Sequence, residues 1–404
     1  MRQHSGVLRL RRPLLIGIIG GLLLVAGAIA ATGARFYESN DFFCLWSGAR
    51  IVLHGDSPYN RATWAAATGG LHPSHDGTLT VGACTARYAY PLWTAVALLP
   101  VGALPLGLAA GVWAALAIAA TIVGTAAAWR AFDGPPASAP LLAALVVGSQ
   151  PFWLLLVGGQ ITGVLLGLAG LSAAALARRR FRSAGALVGA LVLKPQLALF
   201  LLPSLSLLFA MPRARRRFVT GVLAVLALFV GVAFARDPGW LGPWLGEVFD
   251  RTSGLTPRLA TLWGFADDVL GTSAWAVPLI VLCAAGAAML VRRVALTPAL
   301  WFALLIPWSL AAAPHAWSYD HLLLVVPWAA TLACATQLPG RQRVLILLAL
   351  AVCASLLPWL LYVVAFARGQ ETLSVAVPVA SLFLIAYAVR AASPFGRAAA
   401  AVVH

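Results

Sequence analysis

The chain has 404 residues, of which 61% are hydrophobic and only 10% charged. Soluble domains carry about 25% charged residues, so this composition excludes an ordinary soluble fold and points to a polytopic membrane protein. The net charge of +16 does not imply nucleic acid. The basic residues sit in short clusters between apolar runs: Arg9, Arg11 and Arg12; Arg178, Arg179, Arg180 and Arg182; Arg213 with Arg215, Arg216 and Arg217; Arg292 and Arg293; Arg341 and Arg343. Excess Lys/Arg in short loops marks the cytoplasmic side of a membrane.

Apolar runs at 14–31, 106–129, 160–177, 218–235, 273–291, 344–366 and 375–391 approach or exceed the length that spans about 30 Å of hydrocarbon. The first follows basic residues, as in a signal peptide, but lacks a small-residue cleavage site and reads as a retained span. Residues 32–89 then form a long outer loop, which tolerates Arg35, Arg50, Arg61 and Arg87 because loops of that length translocate regardless of charge. On this topology eleven of the twelve acidic residues face outward. Within the loop, residues 41–53 read as an amphipathic helix lying on the membrane surface, anchored by Phe42, Trp46, Ile51 and Leu53. The turn sequence His54-Gly55-Asp56-Ser57-Pro58-Tyr59 ends it. Cys44 and Cys84 share this loop, and in an oxidising compartment they are expected to form a disulfide, constraining the loop by about 4 kcal/mol in the chain-entropy model. Cys283, Cys334 and Cys353 lie in apolar runs and read as packing residues.

Two stretches look broken. Gln150-Pro151 and Gly158-Gly159-Gln160 interrupt 140–177, and the crossing parity there requires a half-span. The arginine clusters at 178–182 and 213–217 both read as cytoplasmic, yet only about 30 residues separate them. Two short helices meeting near Lys194-Pro195-Gln196 resolve the parity. Irregular backbone at membrane depth survives where protein buries it or water reaches it, which places Lys194 at a cavity. Further outer loops fall at 236–272, 313–320 and 367–374. The expected architecture is all-α, a single domain over 1–404 with about 11–13 transmembrane helices.

Three groups of residues carry candidate chemistry. Asp41 follows the first span and precedes aromatic residues, although an Asp at a helix start also serves as a cap. Pro314-His315-Ala316-Trp317-Ser318-Tyr319-Asp320-His321 packs two histidines, a tyrosine and an acid into a short outer turn. An interfacial aromatic belt is the plain account of that turn, but ionisable residues gathered at a membrane cavity are functional candidates. Lys194 is the single lysine of the chain and needs a phosphate or an acidic partner. Tyr90 in Tyr88-Ala89-Tyr90-Pro91, Gln160 and Arg258 are further candidates. No phosphate-cradling glycine loop, zinc spacing or Ser-His-Asp arrangement appears, so nucleotide-driven chemistry is unsupported, and the dispersed acids offer no metal-binding pair.

In order, Asp41, Gly55-Asp56-Ser57-Pro58-Tyr59, Tyr90-Pro91, Gly159-Gln160, Lys194-Pro195-Gln196 and His315/Tyr319-Asp320 resemble glycosyltransferase family 87, over about residues 35–325. The chain departs from the family's pattern at Leu92, where a second proline is usual, and at Thr162, where asparagine is. The resemblance implies a GT-C-type helical bundle in a bacterial plasma membrane, with the N-terminus cytoplasmic and the active site facing the periplasm. It implies a polyprenyl-phosphate sugar donor, mannose foremost, a glycolipid or glycan acceptor, and no cofactor. Asp41 matches the family's first-loop base. Lys194 and His315 match polar positions near the donor phosphate, with Gln196, Gln160, Tyr319, Asp320, Arg258, Tyr59 and Tyr90 as further substrate-binding candidates. Attack of an acceptor hydroxyl on the anomeric carbon needs a positioned carboxylate to take the proton. A lipid-linked donor enters from the bilayer, which suits the lack of nucleotide motifs. The rival is a transporter or lipid flippase, which also places broken helices at a midplane site. The chain shows no internal repeat, and its long first loop suits an enzyme better.

Overall fold

The computed structural model describes residues 41–68, 88–208 and 212–393. The expected first span at 14–31, the arginines before it and Cys84 lie outside the described residues. Among the described residues the chain is all-α, with no strand. Five helices among the described residues are long and apolar enough to cross a membrane: Leu106–Ala131, Pro212–Arg236, Ser273–Val291, Gly340–Arg368 and Thr372–Ala392. Large side chains such as Leu207, Leu282, Met289 and Val363 stand exposed on the bundle. An apolar exterior on this scale is a lipid-facing one. The chain is an all-α polytopic membrane protein.

Among the described residues, which leave out the expected first span, five helices qualify by length and composition, or six counting one bent pair. The rest of the bundle is built from shorter apolar helices, Thr162–Ala177, Phe181–Leu193, Pro195–Leu207 and Pro298–Ala312. The breaks follow from the sequence. Ser149 is extended ahead of Gln150-Pro151, and Pro136–Gly148 meets Gln150–Gly158 at 55°. Gly159 ends the second half in the left-handed region, at φ 61°, where a Cβ would collide with Phe42. Lys194 is extended (φ −131°, ψ 81°) because the following proline disfavours a helical residue before it.

Small residues bring the central helices together. Along Thr162–Ala177, Gly163 and Gly167 lie against the Ala117 and Ala120 backbone, and Gly170 against that of Gly124 on Leu106–Ala131. Van der Waals packing at close backbone approach drives helix association where lipid tails are as apolar as the helices. The successive contacts run in one direction, so the two helices are parallel. Gly185 on Phe181–Gly189 likewise meets the Phe218 backbone of Pro212–Arg236, and Gly221 meets that of Arg182.

The helix Asp41–Leu53 has the predicted bounds but not the predicted setting. Phe42, Phe43, Cys44, Leu45, Ser47, Gly48, Ala49, Ile51 and Val52 are all buried. It does not lie across a surface with one face free. The Trp46 indole donates to the Leu104 carbonyl at 3.0 Å, and Ala49 abuts Gly102. Of its expected anchors only Leu53 is exposed. The turn after it forms as read, with Gly55 at φ 97°.

Candidate active site

Asp41 occupies the first turn of Asp41–Leu53, where a carboxylate is favoured by the helix dipole. Its Oδ2 accepts a hydrogen bond from Gln160 Nε2. Gln160 reaches it because Gly159 turns the chain left-handed, and the Trp113 indole fixes that turn by donating to the Gly159 carbonyl at 2.8 Å. Phe42 stacks on Trp113 with centroids 6.0 Å apart, so the same aromatic pair steadies both sides of the contact.

Lys194 and Asp320 form an ion pair at 2.6 Å, with side chains 2% and 0% exposed. The lysine donates to both carboxylate oxygens, at 2.6 and 2.8 Å. Thr162 Oγ1 donates to Oδ1 at 3.0 Å and the Trp317 N–H to Oδ2 at 3.1 Å. Such complete hydrogen bonding is what makes a buried pair tolerable. Among the described residues Lys194 therefore meets an acid and is sealed from solvent. The void lined by Leu191, Leu197, Ser309 and Leu323 measures about 10 Å³ and is apolar, at the lower limit of the space a water needs. The lysine also lies over the Tyr319 ring, 4.6 Å from its centroid.

Tyr319 joins the two halves of the site. Burial raises its phenol well above the ordinary range, and the nearby charges of Asp41, Asp320 and Glu371 add to the rise, as does Tyr90. The hydroxyl thus stays protonated and remains a donor. Tyr59 donates its hydroxyl to the Tyr90 carbonyl at 2.8 Å, within an aromatic group that includes Trp64 and Tyr88. His315 is half-buried and accepts at Nε2 from the Trp317 indole at 3.1 Å. Two candidates contribute differently from their side-chain reading. The Arg258 side chain is exposed and its carbonyl accepts the Glu371 N–H at 3.0 Å, while Gln196 is half-buried in the short helix Pro195–Ala198.

Cys44 is disulfide-bonded. Among the described residues no group of three or more His, Cys, Asp or Glu is placed to hold a metal ion. Sequence reasoning missed three contributors: Glu371, whose carboxylate accepts the Ser318 N–H at 2.7 Å; Gln150, which donates to Ser318 Oγ at 3.0 Å; and Thr162. In the sequence Gln150 reads as part of a helix break and Thr162 as a departure from a pattern. The one signal for Glu371 was an acid in a short loop between two spans.

The site thus presents a carboxylate held at a helix start by a glutamine, beside a neutral tyrosine and a sealed Lys–Asp pair. A profile of glycosyltransferase family 87 matches residues 88–314, more than half of the chain. The chain belongs to glycosyltransferase family 87. No curated protein matches it. Family membership decides the class in favour of a membrane glycosyltransferase over a carrier. Gln160, Lys194, Gln196, Arg258 and Tyr90 lie inside the matched segment; Asp41, Tyr59, His315, Tyr319 and Asp320 lie outside it. Geometry connects the two sets, because Gln160 holds Asp41 and Lys194 holds Asp320.

Proposed function

We propose that this glycosyltransferase moves a hexose, mannose foremost, from a polyprenyl-phosphate donor to a hydroxyl of a glycolipid or glycan acceptor on the outer face of the bacterial plasma membrane. The whole chain acts as one domain in this reading. The observation that carries it is the Asp41–Gln160 contact, which attaches a first-loop carboxylate to the family segment beside Tyr319. Asp41 takes the proton of the acceptor hydroxyl as its oxygen bonds to the anomeric carbon and the bond from that carbon to the phosphate oxygen breaks. A single displacement of this kind inverts the anomeric configuration. Polyprenyl phosphate leaves with the bonding electrons.

Charge developing on the departing phosphate is best met by preorganised donors in a site that excludes water. Tyr319, His315 and Lys194 are the groups assigned to it. Lys194 already holds Asp320, so it serves the phosphate only by sharing or releasing that carboxylate. Tyr59, Tyr90, Gln196 and Arg258 are assigned to the walls of the substrate site.

The test uses purified protein in lipid with radiolabelled polyprenyl-phosphate-mannose and an extract of host glycolipids and glycans. Wild type is expected to move label into a new product, and Asp41→Asn to lower the rate at least about 100-fold, the scale of a lost general base. Full turnover by folded Asp41→Asn would remove Asp41 as the base. No transfer by wild type across several polyprenyl sugars would overturn the donor assignment.

A further inference from the structure

Glu371 lies between the helices Leu357–Arg368 and Thr372–Val375, beyond the segment matched to the family. It is held on both sides of its backbone. Its N–H donates to the Arg258 carbonyl at 3.0 Å. Asp268 anchors the flanks of the loop, accepting from Arg368 at 2.8 Å and from the Thr372 hydroxyl at 2.6 Å. The carboxylate of Glu371 is thereby delivered to the Ser318 N–H, 2.7 Å away.

Ser318 opens the 3₁₀ helix Ser318–Leu324, whose next two residues are Tyr319 and Asp320. The first N–H groups of a helix have no partner within it and need an acceptor from elsewhere. Asp320 satisfies the Trp317 N–H from inside the turn, and Glu371 satisfies Ser318 from outside it. Gln150 grips the same serine through Oγ. Burial raises the Glu371 carboxyl above its ordinary range, and the charge of Asp320 adds to this. Burying a carboxyl costs free energy unless its bonds compensate.

We propose that Glu371 is a positioning residue of the transfer reaction: by capping Ser318 it holds the 317–320 turn, and so keeps Tyr319 and Asp320 in place beside Asp41 and Lys194. This rests on the transferase reading above for its kinetic consequence. Its structural consequence is independent of that reading.

The experiment compares wild type, Glu371→Ala and Glu371→Gln in nanodiscs. It reads kcat and donor KM with labelled polyprenyl-phosphate-mannose, and backbone hydrogen exchange over residues 316–322. Loss of the cap in Glu371→Ala is expected to lower kcat about 10- to 100-fold, the scale of a small misplacement at a reacting centre. Donor KM should stay within about threefold, because the residue does not bind the donor. Exchange at the turn should accelerate. Glu371→Gln keeps an acceptor for Ser318 and is expected to restore most of both. A folded Glu371→Ala with wild-type kcat and a protected turn would overturn the proposal, as would Glu371→Gln failing as fully as alanine. If wild type transfers nothing, the functional reading falls, and the exchange measurement still decides whether Glu371 holds the turn.

Discussion

An ammonium and a carboxylate taken out of water each cost several kcal/mol, which attraction offsets only when the remaining hydrogen bonds are also made. Lys194 and Asp320 meet that condition, through Thr162, the Trp317 N–H and the Tyr319 ring. Removing one partner leaves the other charged and sealed. Lys194→Met is therefore expected to destabilise the protein by about 3–5 kcal/mol, read as a fall in the thermal midpoint in detergent. Lys194→Met combined with Asp320→Leu is expected to regain much of that loss while transfer stays impaired. A single variant as stable as wild type would mean that the pair is hydrated in solution. Both residues stood out in the sequence, Lys194 as the lone lysine and Asp320 in a polar turn. Their partnership did not, because 126 positions separate them. Glu371 had no motif around it, and what matters about it is a backbone contact made across 53 positions.

At the scale of elements, the site depends on helices that stop early. Gly159, Ser149 and Lys194 leave helical geometry where a continuous helix would carry Gln160, Gln150 and Lys194 away from the turn at 317–320. These breaks were legible, since proline and glycine act through their own chain. The setting of Asp41–Leu53 was not. Its apolar residues fit a lipid surface as well as a protein interior, and only the neighbours at Leu104 and Gly102 distinguish them. The parallel pair Leu106–Ala131 and Thr162–Ala177 positions Gln160 through its glycine contacts. Gly170→Leu forces a side chain into the Gly124 backbone and is expected to cost at least about 1–3 kcal/mol, the scale of overpacking. Unfolding in denaturant would show it, and an unchanged midpoint would mean that the helices separate without loss. Transfer should fall with it, because Gln160 lies just ahead of this helix.

At the scale of the molecule, the arginine clusters at 178–182 and 213–217 and the candidate chemistry occupy opposite ends. Gln160 precedes Thr162–Ala177 and Arg178, Arg179 and Arg180 follow it; 16 residues of helix separate the ends by about 24 Å. The packing of Phe181–Gly189 on Pro212–Arg236 brings Arg182 and the 213–217 arginines to the same end. If the arginine end is cytoplasmic, an impermeant maleimide should label Asp56→Cys on intact cells, and Ser183→Cys only after permeabilisation. The reverse pattern would place the site inside. The sequence by itself determined the membrane class, the helical fold, the positions of the breaks and the family, because composition, apolar run length and backbone preference act locally along a chain. Only the tertiary structure decided that Asp41 meets Gln160, that Lys194 meets an acid, and that Glu371 caps the site's turn. Those contacts join residues far apart in sequence, and their energies depend on burial and alignment that no local pattern encodes.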